Sequence, residues 1–219
     1  MRPRHFFALF LLLLALLTFA TGCSTLGRMD LTRVVTSGRD GWQHPEQVVV
    51  ALDLKPGDRV AEIGAGGGYW LPWLSQAVGA EGRVYAVEVD DALVAKLSER
   101  VSRDELQNVI VVRGQFEDPG LPDGEIDVAM TSNTYHHIDD RADYFRRLQD
   151  DLSSRGRVVH VDDRHDVPPP IRWLQSSGHW TEPASMRAEM TEAGYHKVEG
   201  FDFLPMQSFQ IFVPIAEGS

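Results

Sequence analysis

Residues Val60-Ala61-Glu62-Ile63 form a short, largely apolar run that meets Gly64-Ala65-Gly66-Gly67-Gly68 and resumes as Tyr69-Trp70. This reads as a buried strand running into a turn without side chains that opens a helix. Further on, Arg83-Val84-Tyr85-Ala86-Val87-Glu88 reads as a second buried strand ending in a carboxylate. Together they describe half of a nucleotide site: a turn that lets the main chain lie against a ligand, then an acid for ribose hydroxyls. Few folds other than an α/β sheet with crossover helices accommodate that order.

Glycine spacing selects among ligands. A dinucleotide turn, G-x-G-x-x-G, would need its third glycine where Tyr69 stands. The pattern present, Glu62-x-Gly64-x-Gly66-x-Gly68, resembles motif I of the class I S-adenosylmethionine (SAM) methyltransferases. The resemblance implies that Gly64, Ala65, Gly66 and Gly68 form the loop that receives the amino-acid and ribose portions of SAM. Glu62 would hold the ligand ammonium, directly or through water, and Glu88 would accept from both ribose hydroxyls with charge assistance. The alternative is a glycine turn of another α/β protein with Glu88 solvated. The acid, however, falls where a βαβ unit needs it.

The N-terminus is read apart from the fold. Arg2, Arg4 and His5 precede an apolar run from Phe6 to Leu17, shorter than the roughly 20 residues of a spanning helix. Ala20-Thr21-Gly22-Cys23 resembles a bacterial lipobox, so residues 1–22 are expected to be a lipoprotein signal peptide, with Cys23 the lipidated residue. Cys23 is the single cysteine, which excludes an intramolecular disulfide. An ordinary signal peptide or uncleaved anchor is the alternative. A start at Met29 would instead leave the domain whole and cytoplasmic. Export implies a membrane-anchored lipoprotein whose domain faces the periplasm or exterior.

Loss of Arg2 and Arg4 leaves 19 Lys and Arg against 32 acids, a net charge of −13. Such a chain lacks the electrostatics that drive nucleic-acid binding. The Asx/Ser-Pro-Pro-aromatic motif is also missing; its place reads Ser132-Asn133-Thr134-Tyr135. Nucleic-acid substrates are therefore not expected.

Residues 23–43 read as a polar tether, 44–214 as one methyltransferase domain and 215–219 as a tail. His44-Pro45-Glu46 starts a helix carrying Val48, Val49, Ala51, Leu52 and Leu54. Lys55-Pro56-Gly57-Asp58 then turns into the first strand. Strands are predicted at 59–63, 83–88, 108–112, 126–131 and 157–162, with helices at about 69–79, 90–101 and 140–152. A helix at 182–193 stopping at Gly194, then strands at 198–204 and 208–213, complete the pattern. This alternation argues for a Rossmann-like α/β fold with a mostly parallel sheet. The family resemblance, covering roughly residues 45–214, adds seven strands in the order 3-2-1-4-5-7-6, helices on both faces and a C-terminal antiparallel hairpin. Gly41-Trp42-Gln43-His44-Pro45-Glu46 and the segment from Gly178-His179-Trp180 to Pro205 also look similar to a bacterial subgroup of predicted exported methyltransferases.

By the same resemblance, adenine contacts fall at Gln115 and Phe116, and Gln115 stands where an aspartate is common. The fourth strand delivers Asn133, Tyr135, His136 and His137 to the ligand-binding edge of the sheet. A histidine here titrates near neutral pH and is a candidate base, or it supports the loop structurally. Asp162, with His165 after it, is a candidate base or orienting residue at the end of the fifth strand. Metal use is not expected, because Thr131-Ser132-Asn133 lacks the further acids of metal-dependent relatives. Trp173, His179 and Trp180 suit a pocket for a small or apolar acceptor, or the packing of a short lid.

The chain thus reads as a SAM-dependent methyltransferase of a small-molecule or lipid-like acceptor. A non-catalytic SAM- or nucleotide-binding lipoprotein on the same scaffold is the alternative, motivated by the cytoplasmic origin of SAM. A nicotinamide oxidoreductase is disfavoured by the glycine spacing and by the absence of a Tyr-x-x-x-Lys pair. The acceptor and the oligomeric state do not follow from the sequence.

Overall fold

The computed structural model describes residues 38–164 and 180–216. The signal peptide, Cys23, Met29, His165, Trp173, His179 and the last three residues lie outside them. Among the described residues no helix is long and apolar enough to cross a membrane.

The elements in chain order are α1 (Asp40–Gln43), α2 (Pro45–Leu52), β1 (Arg59–Ile63), α3 (Leu71–Val78), β2 (Arg83–Glu88), α4 (Asp91–Arg103), β3 (Val109–Arg113) and β4 (Ile126–Ser132). A 3-10 turn (Tyr135–His137) follows, then α5 (Arg141–Asp151), β5 (Leu152–Asp163), α6 (Pro183–Glu192), β6 (Tyr195–Phe201) and β7 (Gln207–Pro214). The strands form one sheet in the order β3-β2-β1-β4-β5-β7-β6, as the resemblance implies. β3 through β5 run parallel, and β7 pairs antiparallel with both β5 and β6.

Strand alternation sends each run of apolar residues to two faces. Val60, Val84, Ala86, Val128, Met130, Val159 and Ile211 pack with Val48 and Leu52 of α2, Leu71 and Leu74 of α3, and Leu97 of α4. Ala61, Tyr85, Val87, Ala129, Val158 and Phe212 pack on the other face with Phe145 and Leu148 of α5 and Met186 and Met190 of α6. Burying both faces is what a parallel sheet requires. Pro72 stands in the first turn of α3, where its missing N–H removes no helical bond.

Several boundaries differ from the sequence reading. β5 begins at Leu152 rather than 157. Ile126 pairs with Leu152 and Val128 with Arg157, so a bulge absorbs the polar stretch between them. β6 begins at Tyr195 rather than 198; it is an edge strand with only its ends turned inward, so its pattern is weak. Residues 40–43, read as tether, form helix α1, and Gln43 is fully buried against β7.

The edge opposite the glycine turn is closed by charge. Asp127 on β4 accepts from Arg59 N (2.9 Å), Ser153 Oγ (2.9 Å) and Arg155 Nε (3.0 Å), and Arg155 also reaches Asp58 at 2.9 Å. Asp127→Ala strands those donors and is expected to lower unfolding free energy by about 2–4 kcal/mol in urea denaturation. Ligand binding at the far edge should survive; a loss below about 0.5 kcal/mol would show that this cluster does not hold the three strands.

Candidate functional site

The chain leaves β1 for β2 and β3 on one side, then returns to place β4 on the other. The crevice at the C-terminal ends of β1 and β4 is where such sheets bind ligands. A cavity of about 400 Å³ opens there, lined by Gly64, Gly66, Glu88, Phe116, Asn133 and His137 among others. That volume lies within the range for small-molecule sites. Gln115 also lines it, and Phe116 is 73% exposed, a large apolar ring left bare at the rim.

Gly64 takes φ +73°, and a Cβ there would meet Thr134 Cγ2 at 2.3 Å. The turn can close on β4 only without that atom. Gly66, at φ +53°, faces open space where a Cβ would project, so the backbone itself forms the cavity wall. Glu62, Ala65 and Gly68, expected in the binding set, fall outside the lining. Ala65 is buried with its N–H on Val87 O at 2.9 Å. Gly68 lies against Leu71 and Leu97, where its lack of a side chain lets the turn pack on α3 and α4.

Glu88 is buried, and its carboxylate gathers three backbone donors. Oε2 accepts from Gly66 N at 2.9 Å; Oε1 accepts from Val89 N at 2.7 Å and Asp90 N at 3.1 Å. It therefore secures the glycine turn while lining the cavity. A carboxylate offers about four acceptor sites, which leaves room for a ribose hydroxyl.

Glu62 is buried beside this wall, and its Oε2 has no hydrogen-bond partner among the described residues. A buried polar atom without a partner is destabilising and calls for a donor. The ammonium of SAM, or a water it holds, supplies one, so the residues present fit the cofactor. Burial pushes the Glu62 carboxyl up to about 8, opposed by Arg39 and Arg100 and helped by Glu88.

On the β4–β5 side, the structure brings His136 and Asp162 together. His136 Nδ1 lies 2.8 Å from Asp162 Oδ1, and its backbone N donates to Oδ2 at 3.2 Å. Asp162 is fully buried, and its carboxylate fixes the ring through Nδ1. His136 itself does not line the cavity; His137 does, with the two rings 4.2 Å apart. Tyr135 belongs to the core rather than to the acceptor side. It is fully buried, stacks on Phe145, and donates its hydroxyl to Glu189 at 2.7 Å. His160 is buried between aromatic rings, and burial pushes it down to about 3, so it stays neutral. Among the described residues no group of three His, Cys, Asp or Glu side chains is spaced to hold a metal.

Sequence reasoning missed Leu93 and Tyr144 in the cavity wall and, behind it, Arg39, Gln43 and Gln207. A signal existed for Leu93, five residues past the acid that ends β2. Nothing local marks the two glutamines.

A family model described as a methyltransferase domain matches residues 60–156. An uncharacterized protein of transposon TN4556 from Streptomyces fradiae is 32% identical over 109 residues, 50% of this chain and 31% of its own. The 2-phytyl-1,4-naphtoquinone methyltransferase of Synechococcus elongatus is 27% identical over 170 residues, 75% of this chain and 72% of its own. A SAM-dependent methyltransferase structure from Aquifex aeolicus superposes with a TM-score of 0.68 at 25% identity, covering 78% of this chain and 89% of its own. The chain thus spans 31% of the length of the first of these relatives and 72% of the second.

Because folding raises the pKa of Glu62, the native state binds its proton more tightly than the unfolded chain. Its contribution to stability is complete below the ordinary carboxylate range and is lost as pH rises towards about 8. Without cofactor, wild type should therefore lose stability relative to Glu62→Gln across that window. Denaturation midpoints of the two proteins that keep a constant gap throughout would overturn this assignment.

Proposed function

The chain belongs to the class I, SAM-dependent methyltransferases, and from that membership we propose that it methylates a small, ring-bearing apolar acceptor of the quinol or phenol kind. The observation that carries this reading is a carboxylate-held imidazole beside a largely apolar cavity. The Synechococcus elongatus relative, whose name specifies a naphthoquinone substrate, supports the same chemical class.

Bound SAM supplies an electrophilic methyl group on a sulfonium. The chain's residues have two tasks, to hold donor and acceptor in line and to remove the acceptor's proton. Gly64 and Gly66 would give the cofactor a backbone wall, Glu62 would hold its ammonium, Glu88 its ribose and Phe116 its base. The acceptor comes from the β4–β5 side, against His137. His136, held by Asp162 just behind the lining, would take the proton from the acceptor hydroxyl, directly or through a water, as the O–CH3 bond forms and the S–CH3 bond breaks to leave a neutral thioether. Asp162 holds the ring in the required tautomer and stabilises the imidazolium that results.

The test is transfer of labelled methyl from SAM to a short-chain 1,4-naphthoquinol and to simple phenols. His136→Ala should lower kcat by roughly 10²–10⁴-fold while the dissociation constant of SAM stays within about twofold. Unchanged turnover would remove His136 from the chemistry.

The lipobox reading extends this proposal. A lipid on Cys23 would tether the domain to a bacterial membrane, on its outer side, where apolar acceptors concentrate. Cys23→Ser should shift the full chain from the detergent to the aqueous phase in a phase-partition assay. A variant that stays in the detergent phase would place the anchor elsewhere.

A further inference from the structure

A line of buried side-chain amides runs from α1 to the cavity. Arg39 Nε donates to Gln43 Oε1. Gln43 Nε2 donates to Gln207 Oε1 at 3.2 Å, and Gln207 Nε2 donates to Asn133 Oδ1 at 2.6 Å. Gln43 and Gln207 are fully buried. Asn133, which lines the cavity, is held at φ +53° with its N–H on Val161 O at 2.9 Å.

The direction of this line is set by its first member and, at Gln207, in the same sense by the Asp163 carboxyl, which accepts from the Gln207 side chain. A guanidinium has donors and no acceptor, so Gln43 can meet Arg39 only with its oxygen. That choice leaves Gln43 with a donor for Gln207, Gln207 with a donor for Asn133, and Asn133 with Nδ2 still to place. Reversing any one amide would set oxygen against oxygen or N–H against N–H in a buried site, which is costly. Arg39 is itself seated, with its guanidinium 3.9 Å from the centroid of the Tyr69 ring. Tyr69 in turn donates its hydroxyl to Asp40 at 2.5 Å.

We propose that Arg39, Gln43 and Gln207 are positioning residues that turn the Asn133 amide so that Nδ2 offers a hydrogen bond to the carboxylate of SAM. This rests on the reading of the cavity as the SAM site. Nδ2 of Asn133 has no partner among the described residues. The site adjoins Gly64, since Thr134 Oγ1 lies 3.3 Å from Gly64 O, and Glu62 with its partnerless Oε2 is two residues earlier. An acceptor at Glu62 and a donor at Asn133 match the ammonium and carboxylate borne on one carbon of the cofactor. The donor is needed because Glu62, Glu88, Asp162 and Asp163 already crowd this edge with carboxyl groups. An Asn133 turned the other way would add one more oxygen facing an anion.

The test compares two ligands on the full chain by calorimetric titration. S-adenosylhomocysteine carries the amino-acid end, and 5′-methylthioadenosine has the same nucleoside and thioether without it. Gln207→Glu offers only acceptors, so it draws Nδ2 of Asn133 towards itself and turns Oδ1 to the cavity. Arg39→Met removes the donor that orients Gln43, from an exposed position, and leaves only the Asp163 contact to orient Gln207. Both should weaken S-adenosylhomocysteine roughly tenfold or more and leave 5′-methylthioadenosine within about twofold. Arg39→Lys, still a pure donor, should restore most of the affinity lost in Arg39→Met. Equal effects on the two ligands, or none on either, would overturn the relay while the cofactor assignment stands. A wild-type chain that binds neither ligand would overturn both.

Discussion

The site depends on one carboxylate. Glu88 ends β2, and its two oxygens collect the N–H groups of Gly66, Val89 and Asp90. One side chain thereby ties the glycine turn after β1 to the start of α4, whose first N–H groups are capped by Asp90. Charge-assisted bonds to backbone donors are among the stronger hydrogen bonds available to a protein. The turn needs such an anchor because Gly66 touches nothing on its open side. Thr134, just past β4, lies against Gly64, and Arg100 of α4 holds Gly67 O at 2.8 Å. The cavity wall is therefore backbone, pinned from three directions, and its shape is set before any ligand arrives.

The electrostatics of that wall are unbalanced in one direction. Glu62, Glu88, Asp162 and Asp163 converge on the same sheet edge, and burial holds Asp163 up at about 6, with its neighbour Asp162 adding to the effect. Such an edge favours a cationic ligand over a polyanion, in keeping with a sulfonium and an ammonium on one molecule. Arg39 is the counterweight. It offsets Glu62 and Asp163 through space and carries a donor inward through two amides to Asn133.

Legibility in the sequence followed the range of the interactions involved. β1, β2 and β4 could be placed almost to the residue, because each is an apolar run bounded by turn residues. Gly64, Gly66 and Glu88 were equally plain, since their roles are set within a single βαβ unit. β5 began earlier than expected because the polar stretch Ser153 to Arg155 stays in the sheet through a bulge, which no periodicity reveals. Tyr135 looked like a site residue until its partner Glu189 was brought to it from α6. Gln43 was read as tether for the same reason. A buried amide is recognised by its partner, and Gln207 lies at the far end of the chain.

That distance has a consequence for how the protein matures. β7 is the last strand made, yet it lies between β5 and β6, so β6 has no place in the sheet until β7 arrives. Gln207, the link between α1 and Asn133, begins that strand. A nascent chain can pair β1 through β5 while it emerges, but the amide line stays broken until Gln207 of β7 is free. Synthesis from the N-terminus therefore places the closing of this line after the parallel core of the sheet, at the emergence of β7.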